Sequence, residues 1–259
     1  MSTSKYRRRY GWKKDRLDHR DFRYLLPDLH LVATLPPRVD LRPNMPPVWD
    51  QGELGSCTAH AIGAAFAFEA RKQATAYAAM TPSRLFLYFN ERDMEGTTTD
   101  DAGAEIRDGV KSTATTGLCD ETLWPYDPAR FADKPTPDAY ADALDHRTTT
   151  YLRVAQTLPA LQSCLASGFP IAFGISVFDS FEGDGPAATG VVPMPSTSES
   201  NLGGHAILLC GYDTYTRQFT FRNSWGDGWG AAGYGYLPFD YVQNPDLASD
   251  FWTIRQLTT

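Results

Sequence analysis

Residues 57–68 read CTAHAIGAAFAF, a run that is apolar nearly all the way round. At helical spacing such a segment has no polar face, so it folds only where it is buried on every side. Its small residues (Ala59, Ala61, Gly63, Ala64, Ala65 and Ala67) let neighbouring backbone approach closely. After Phe68 the sequence turns polar with Glu69, Arg71, Lys72 and Gln73, which lead the helix out toward solvent. The chain has 259 residues, 42% of them hydrophobic, enough for one large domain or two modest ones with an ordinary core.

Around this helix the punctuation changes along the chain. Thr81-Pro82 reads as an N-cap followed by Pro at the first helical position, opening a second helix through about Asn90. A third is expected over 103–115, with Gly117 at its C-terminal cap. Thr157-Leu158-Pro159 opens a short helix ending near Gly168. Strand-length apolar or alternating runs then follow at 169–178, 205–212, 217–224, 233–239 and 251–254, while 181–204, rich in Gly, Pro and Ser, reads as a featureless surface loop. Helices first and strands second predict an α+β chain of two subdomains. Five prolines at positions 36, 37, 43, 46 and 47 make a stiff, extended stretch. It marks the boundary between an N-terminal extension, 1–34, and a body divided into a mainly helical part, 35–150, and a mainly β part, 151–259.

Charge is distributed unevenly. Residues 1–24 hold nine Lys or Arg against three Asp, a net +6, which leaves −13 on the rest. Three readings fit: a solvated tail, an arm docked on the acidic body by attraction that salt weakens, or a contact with nucleic acid or an anionic membrane, which the interleaved Asp residues disfavour. No apolar run is long enough to span a bilayer, and the first 30 residues lack the apolar core of a secretory signal. Neither nucleic acid nor membrane is expected as a partner, and the chain is expected to act as a monomer. The cysteines at 57, 119, 164 and 210 fit no metal pattern, so no metal or cofactor is expected. Cys164 and Cys210 read as small buried hydrophobes.

Chemistry concentrates in Gln51-Gly52-Glu53-Leu54-Gly55-Ser56-Cys57. A thiol at the first turn of a buried helix has backbone N–H groups and the positive end of the macrodipole beside it, which favour the thiolate. The glycines permit a tight turn, and Gln51 offers an amide donor for an oxyanion. Alone, a Cys at a helix start is more simply a core residue. Two other pieces change that reading. His205, in Gly203-Gly204-His205-Ala206, opens an apolar strand, and Asn223 ends an alternating run before Ser224-Trp225-Gly226. An imidazole base needs its second nitrogen held by an acceptor, which an Asn oxygen supplies. The Trp225 indole, packed over that bond, excludes water from it.

These motifs resemble the papain family of cysteine peptidases, in its bacterial branch with a short N-terminal extension (the xylellain-like peptidases). His205 lies 148 residues after Cys57, and Asn223 lies 166 after. The likeness runs from Leu35-Pro36-Pro37-Arg38-Val39-Asp40 to Phe251-Trp252-Thr253-Ile254. It implies a papain-like α+β fold, with a helical subdomain, an antiparallel β-barrel-like one and a cleft between them. It also implies hydrolysis of peptide bonds in a peptide or protein substrate, with Cys57 as nucleophile, His205 as base, Asn223 as the residue orienting it and Gln51 on the oxyanion. By the same resemblance Gly103 pairs with substrate backbone, Ala206 and Gly174 line the pocket for the second residue before the cut, and Trp225 borders the site. Residues 1–34, with Tyr10-Gly11-Trp12 and Asp18-His19-Arg20-Asp21, resemble a short propeptide, so an autoinhibited zymogen is expected.

Departures accompany the likeness. Leu54 and Asp100 stand where the family has a pair of disulfide-bonded cysteines, and Thr58 replaces the aromatic after the nucleophile. Gly204 replaces an Asp or Asn. Cys119 and Cys164 remain candidates for a disulfide. His60 is read as a buried polar group, and His19, His30 and His146 as solvated. Two other functions use the same parts: an acyltransferase or transglutaminase-like enzyme, whose third residue is usually Asp, and a non-catalytic binding protein, which typically lacks the cysteine.

Overall fold

The computed structural model describes residues 9–16, 18–25 and 35–258, so His30 and most of the extension lie outside it. Helix α1, Cys57–Lys72, is the axis, buried at every residue from Cys57 to Ala70. Helix α2, Arg84–Glu95, and helix α3, Ile106–Thr115, pack against it. The second helix starts later than Thr81-Pro82 suggests. Pro82 bridges to Asp120, and the cap is Ser83, whose hydroxyl accepts the Phe86 N–H at 3.1 Å. That helix runs on to Gly96, which closes it in the left-handed conformation at φ 70°. The third helix also starts late, because Ala104–Glu105 is drawn into a short strand.

Nine strands occur among the described residues: β1 Trp12–Lys13, β2 Arg38–Asp40, β3 Ala104–Glu105, β4 Thr148–Arg153, β5 Ile171–Phe178, β6 Asn201–Asp213, β7 Gln218–Arg222, β8 Tyr234–Pro238 and β9 Ala248–Leu257. Seven form one sheet in the order β4-β9-β5-β6-β7-β8, with β2 added along β6, and all its pairs are antiparallel. The α+β class holds. The sheet is nevertheless open, since no pairing among the described residues joins edge strands β4 and β8. Residues 181–204 are more ordered than their composition suggests. They carry a short helix at Asp184–Thr189, bury Phe181 and Val192, and supply the start of β6.

Alternation along the central strands separates two cores. Ala206, Leu208 and Cys210 of β6 and Ala172 of β5 pack with α1 and α2, while Ile207, Leu209, Ile171, Phe173, Ile175 and Val177 pack on the opposite face with β7 and Phe251. In the register Gly174 faces Ala206, and Ser176 faces Gly204. The helix-facing row therefore ends in small residues, and a cleft opens there beside the start of α1.

All four cysteines are buried free thiols, so Cys119 and Cys164 are unpaired. His146 is packed, not solvated: its ring lies 4.5 Å from that of Tyr77, and Nδ1 lies 3.4 Å from Asp142. His19 is exposed. No described helix is long and apolar enough to cross a membrane.

Candidate active site

Cys57 is the first residue of α1 and is fully buried. Backbone N–H groups of Ala206, Gly11 and Thr58 face its thiol and favour the thiolate, but burial outweighs them and pushes the thiol up to about 11. Thr58, where an aromatic was expected from the resemblance, donates its hydroxyl to Glu91 at 2.7 Å. Glu91 is fully buried, and burial raises its carboxyl well above the usual range, so it packs as a neutral acid. His60 hydrogen-bonds through Nδ1 to the Ser56 carbonyl at 3.0 Å and is held neutral by burial, as a structural polar group.

Across the cleft, His205 is fully buried next to Ala206, whose N–H meets the Cys57 thiol. Its Nε2 lies 2.8 Å from Asn223 Oδ1. That oxygen also accepts the backbone N–H of Ser224 at 2.9 Å. A main-chain donor cannot flip, so Oδ1 is fixed as the acceptor. Nε2 then carries the ring proton, and Nδ1 is left as the basic nitrogen. Trp225 stacks on the imidazole with ring centroids 5.0 Å apart and planes 27° apart, backed by Phe181 and Trp229.

Gln51 is held by its neighbours on both ends of the amide. Ser224 donates its hydroxyl to Oε1 at 2.6 Å, and Nε2 donates to the Leu54 carbonyl at 2.8 Å. The second Nε2 contact is to the carbonyl of Arg9, at 3.4 Å. The Gln51 amide thus aims a donor into the cleft, and a carbonyl of the N-terminal segment already stands there.

That segment fills the rest of the cleft. Strand β1 pairs in parallel with β3, and the Gly11 carbonyl accepts the Ala104 N–H at 2.8 Å. The backbone donor on this wall is thus Ala104; Gly103, at φ 70°, instead donates its N–H to the Tyr88 hydroxyl at 3.1 Å. A Cβ at Gly103 would stand 2.0 Å from the Gly11 oxygen. On the opposite wall a Cβ at Gly174 would stand 1.9 Å from the Trp12 indole, and one at Gly204 would stand 2.5 Å from the Trp12 carbonyl. Ala206, buried beside Gly174, completes that wall. Tyr10 lies edge-on to His205 at 6.1 Å, and its hydroxyl donates to Glu182.

Sequence reasoning singled out Cys57, His205, Asn223, Gln51, Gly103, Gly174, Ala206 and Trp225, and the fold gathers all eight around one cleft. It gave no role at the site to Asp101 or Ser224, and named Trp12 only within the propeptide-like motif. Asp101 accepts the Gly55 N–H at 3.1 Å and the Tyr88 hydroxyl at 2.5 Å, so it ties together the two loops that Leu54 and Asp100 leave unbridged. Its only signal was its place in a motif that had lost its cysteine.

Comparison with known proteins identifies the family and the fold. Residues 35–250 match the model of the papain family of cysteine proteases. An uncharacterized peptidase C1-like protein of Acanthamoeba polyphaga mimivirus is 39% identical over the whole of this chain and 90% of its own length. The crystal structure of xylellain, a cysteine protease from Xylella fastidiosa, superposes with a TM-score of 0.90 at 40% identity over 99% of both chains. Digestive procathepsin L 3 of Tenebrio molitor larval midgut shares the fold at 18% identity, with a TM-score of 0.72 over 96% of this chain and 76% of its own. The chain therefore belongs to the papain family of cysteine proteases.

Proposed function

We propose that this cysteine peptidase cuts peptide bonds with Cys57 as nucleophile and His205 as the shuttle for its proton. The observation that carries the reading is the Nε2–Asn223 bond, which leaves Nδ1 of a cleft histidine basic beside a thiol at a helix N-terminus. Nδ1 takes the thiol proton, and the sulfur attacks the scissile carbonyl carbon. The resulting oxyanion is stabilised by the Cys57 N–H and Gln51 Nε2, donors that need no rearrangement during reaction. Collapse of the intermediate breaks the C–N bond as His205 gives its proton to the leaving amine, and a thioester remains. His205 then deprotonates water, which attacks the thioester, releases the acid and restores the thiol. Asn223 suits this cycle because a neutral acceptor orients the ring without adding a second negative charge.

The described form is read as autoinhibited by Arg9–Lys13. The arm lies in the cleft, yet it presents the Gly11 N–H to the sulfur, a donor and not an electrophilic carbon. Burial under the arm raises the thiol, so both access and reactivity are withheld. The charge of the two parts supports docking, as does a proform neighbour of the same fold. His205→Ala tests the chemistry: peptide hydrolysis should fall by about 10²–10⁴-fold with the circular dichroism unchanged. Undiminished hydrolysis would remove His205 from the mechanism.

A further inference from the structure

A small cavity adjoins Asn223, between α1, β6 and the end of β7. Trp49, His60, Ala61, Ala206, Leu208 and Asn223 are among its walls, and it has room for the centre of one water, about 10 Å³. Two polar atoms of the wall residues, His60 Nε2 and Asn223 Nδ2, are buried and meet no hydrogen-bonding group among the described residues. Both residues are only 2% exposed, so bulk solvent does not serve these atoms.

The bonds at the other ends of the two side chains fix what these atoms can do. Asn223 Oδ1 accepts the Ser224 N–H at 2.9 Å, so the opposite atom of the amide is the NH₂ group, a donor. His60 Nδ1 faces the Ser56 carbonyl at 3.0 Å, which can only accept. Nδ1 therefore carries the ring proton, and Nε2 is left as an acceptor. Burial disfavours a second proton on this ring, and so do Arg84 on α2, Arg222 on β7 and His205 on β6. A donor and an acceptor thus stand unmatched beside one cavity, sized for a single molecule that is both.

We infer that this cavity binds one structural water, which accepts from Asn223 Nδ2 and donates to His60 Nε2, and that through it His60 is a positioning residue for Asn223. The positioning role rests on the peptidase reading above; the water site does not. With the water in place the Asn223 amide is held at both ends, Oδ1 by Ser224 and His205 and Nδ2 by the water. A buried polar cavity with two such partners is an ordinary place for internal water, and leaving both atoms unmatched would cost stability. Without the acceptor at His60 the amide is free to swing, which carries Oδ1 off the Nε2–H of His205.

Two measurements test this. A crystal structure of the full chain should show an ordered water within about 3.2 Å of both His60 Nε2 and Asn223 Nδ2; a dry cavity, or a His60 ring turned away from it, overturns the inference. The second uses the full chain carrying Trp12→Ala, to which His60→Leu or His60→Gln is added. The leucine removes the acceptor, and the glutamine keeps a side-chain oxygen. His60→Leu should lower kcat about tenfold, the scale of one buried hydrogen bond, at unchanged KM. It should also move the alkaline limb of the pH–rate profile to lower pH, because a looser Asn223 stabilises the His205 imidazolium less. His60→Gln should restore most of both. A folded His60→Leu chain with unchanged kcat and limb overturns the positioning role, as does equal loss in the two variants, which would mark His60 as packing alone. If His60→Leu does not fold, the crystal structure decides. If the Trp12→Ala chain neither cuts peptide nor is alkylated at Cys57, the peptidase reading fails and takes the positioning role with it, while the water site stands or falls by the crystal structure.

Discussion

Replacing Trp12 by alanine in the intact chain should release the arm. A buried tryptophan covers about 200 Å² of surface. Trp12 is about two-thirds buried or more, so about 140 Å² leaves water when the arm docks, which at about 25 cal/mol per Å² stabilises docking by about 3.5 kcal/mol. Its indole N–H is buried and has no acceptor among the described residues, which offsets about 1 kcal/mol. The net loss in Trp12→Ala is about 2.5 kcal/mol, or roughly sixtyfold in the ratio of docked to open arm. Pseudo-first-order alkylation of Cys57 by iodoacetamide, followed by mass spectrometry, reads this ratio directly, and hydrolysis of a fluorogenic peptide should rise in parallel. Unchanged rates in a folded variant would refute the reasoning, because the indole would then contribute nothing to closure.

Further outcomes follow from the same contacts. Asp15 is buried where the arm meets the body, bonded to the Trp252 indole at 2.7 Å and the Arg107 N–H at 3.1 Å, with Asp250 and Arg153 beside it. Burial, then the nearby Asp250, raises its carboxyl from 3.8 to about 7. The docked arm therefore binds a proton that the free arm does not. Its contribution to docking is complete below about pH 4 and is lost as pH rises through about 7, so residual activity of the intact chain should climb between pH 5 and 8 relative to the Trp12→Ala chain, and Asp15→Asn should flatten the climb. Asn223→Ala should lower kcat by about 10–100-fold with little change in KM, since Asn223 orients His205 and does not meet substrate. Glu91→Gln, which keeps shape and neutrality, should shift the melting temperature by no more than a few degrees; a collapse of the fold would mean that Glu91 is ionised.

The parts of this molecule legible in its sequence are those with a local physical signature. The buried helix announces itself by lacking a polar face, and the small residues and Gly-His-Ala of β6 mark the end of an apolar strand. Strand β4, TTTYLR, escaped because its edge position leaves it half-exposed and largely polar. The cap of α2 was misplaced because Ser83 and Thr81 both have capping hydroxyls, and only the bridge of Pro82 to Asp120 decides between them. Residues 181–204 read as loop because their order comes from contacts with β8 and the Trp225 cluster and not from periodicity. The contacts of Asp101 with Gly55, of Trp12 with Gly174 and of Asp15 with Asp250 span 46 residues or more and leave no local pattern.

The central claim is that Cys57 alone among the four buried thiols becomes a nucleophile once the arm leaves the cleft. Reaction of the Trp12→Ala chain with an irreversible epoxide inhibitor of thiol proteases, mapped by mass spectrometry, tests this most directly. Modification should fall on Cys57 and disappear in His205→Ala, with Cys119, Cys164 and Cys210 untouched. Labelling at any of those three in place of Cys57, or labelling of Cys57 that is indifferent to His205, would contradict the account.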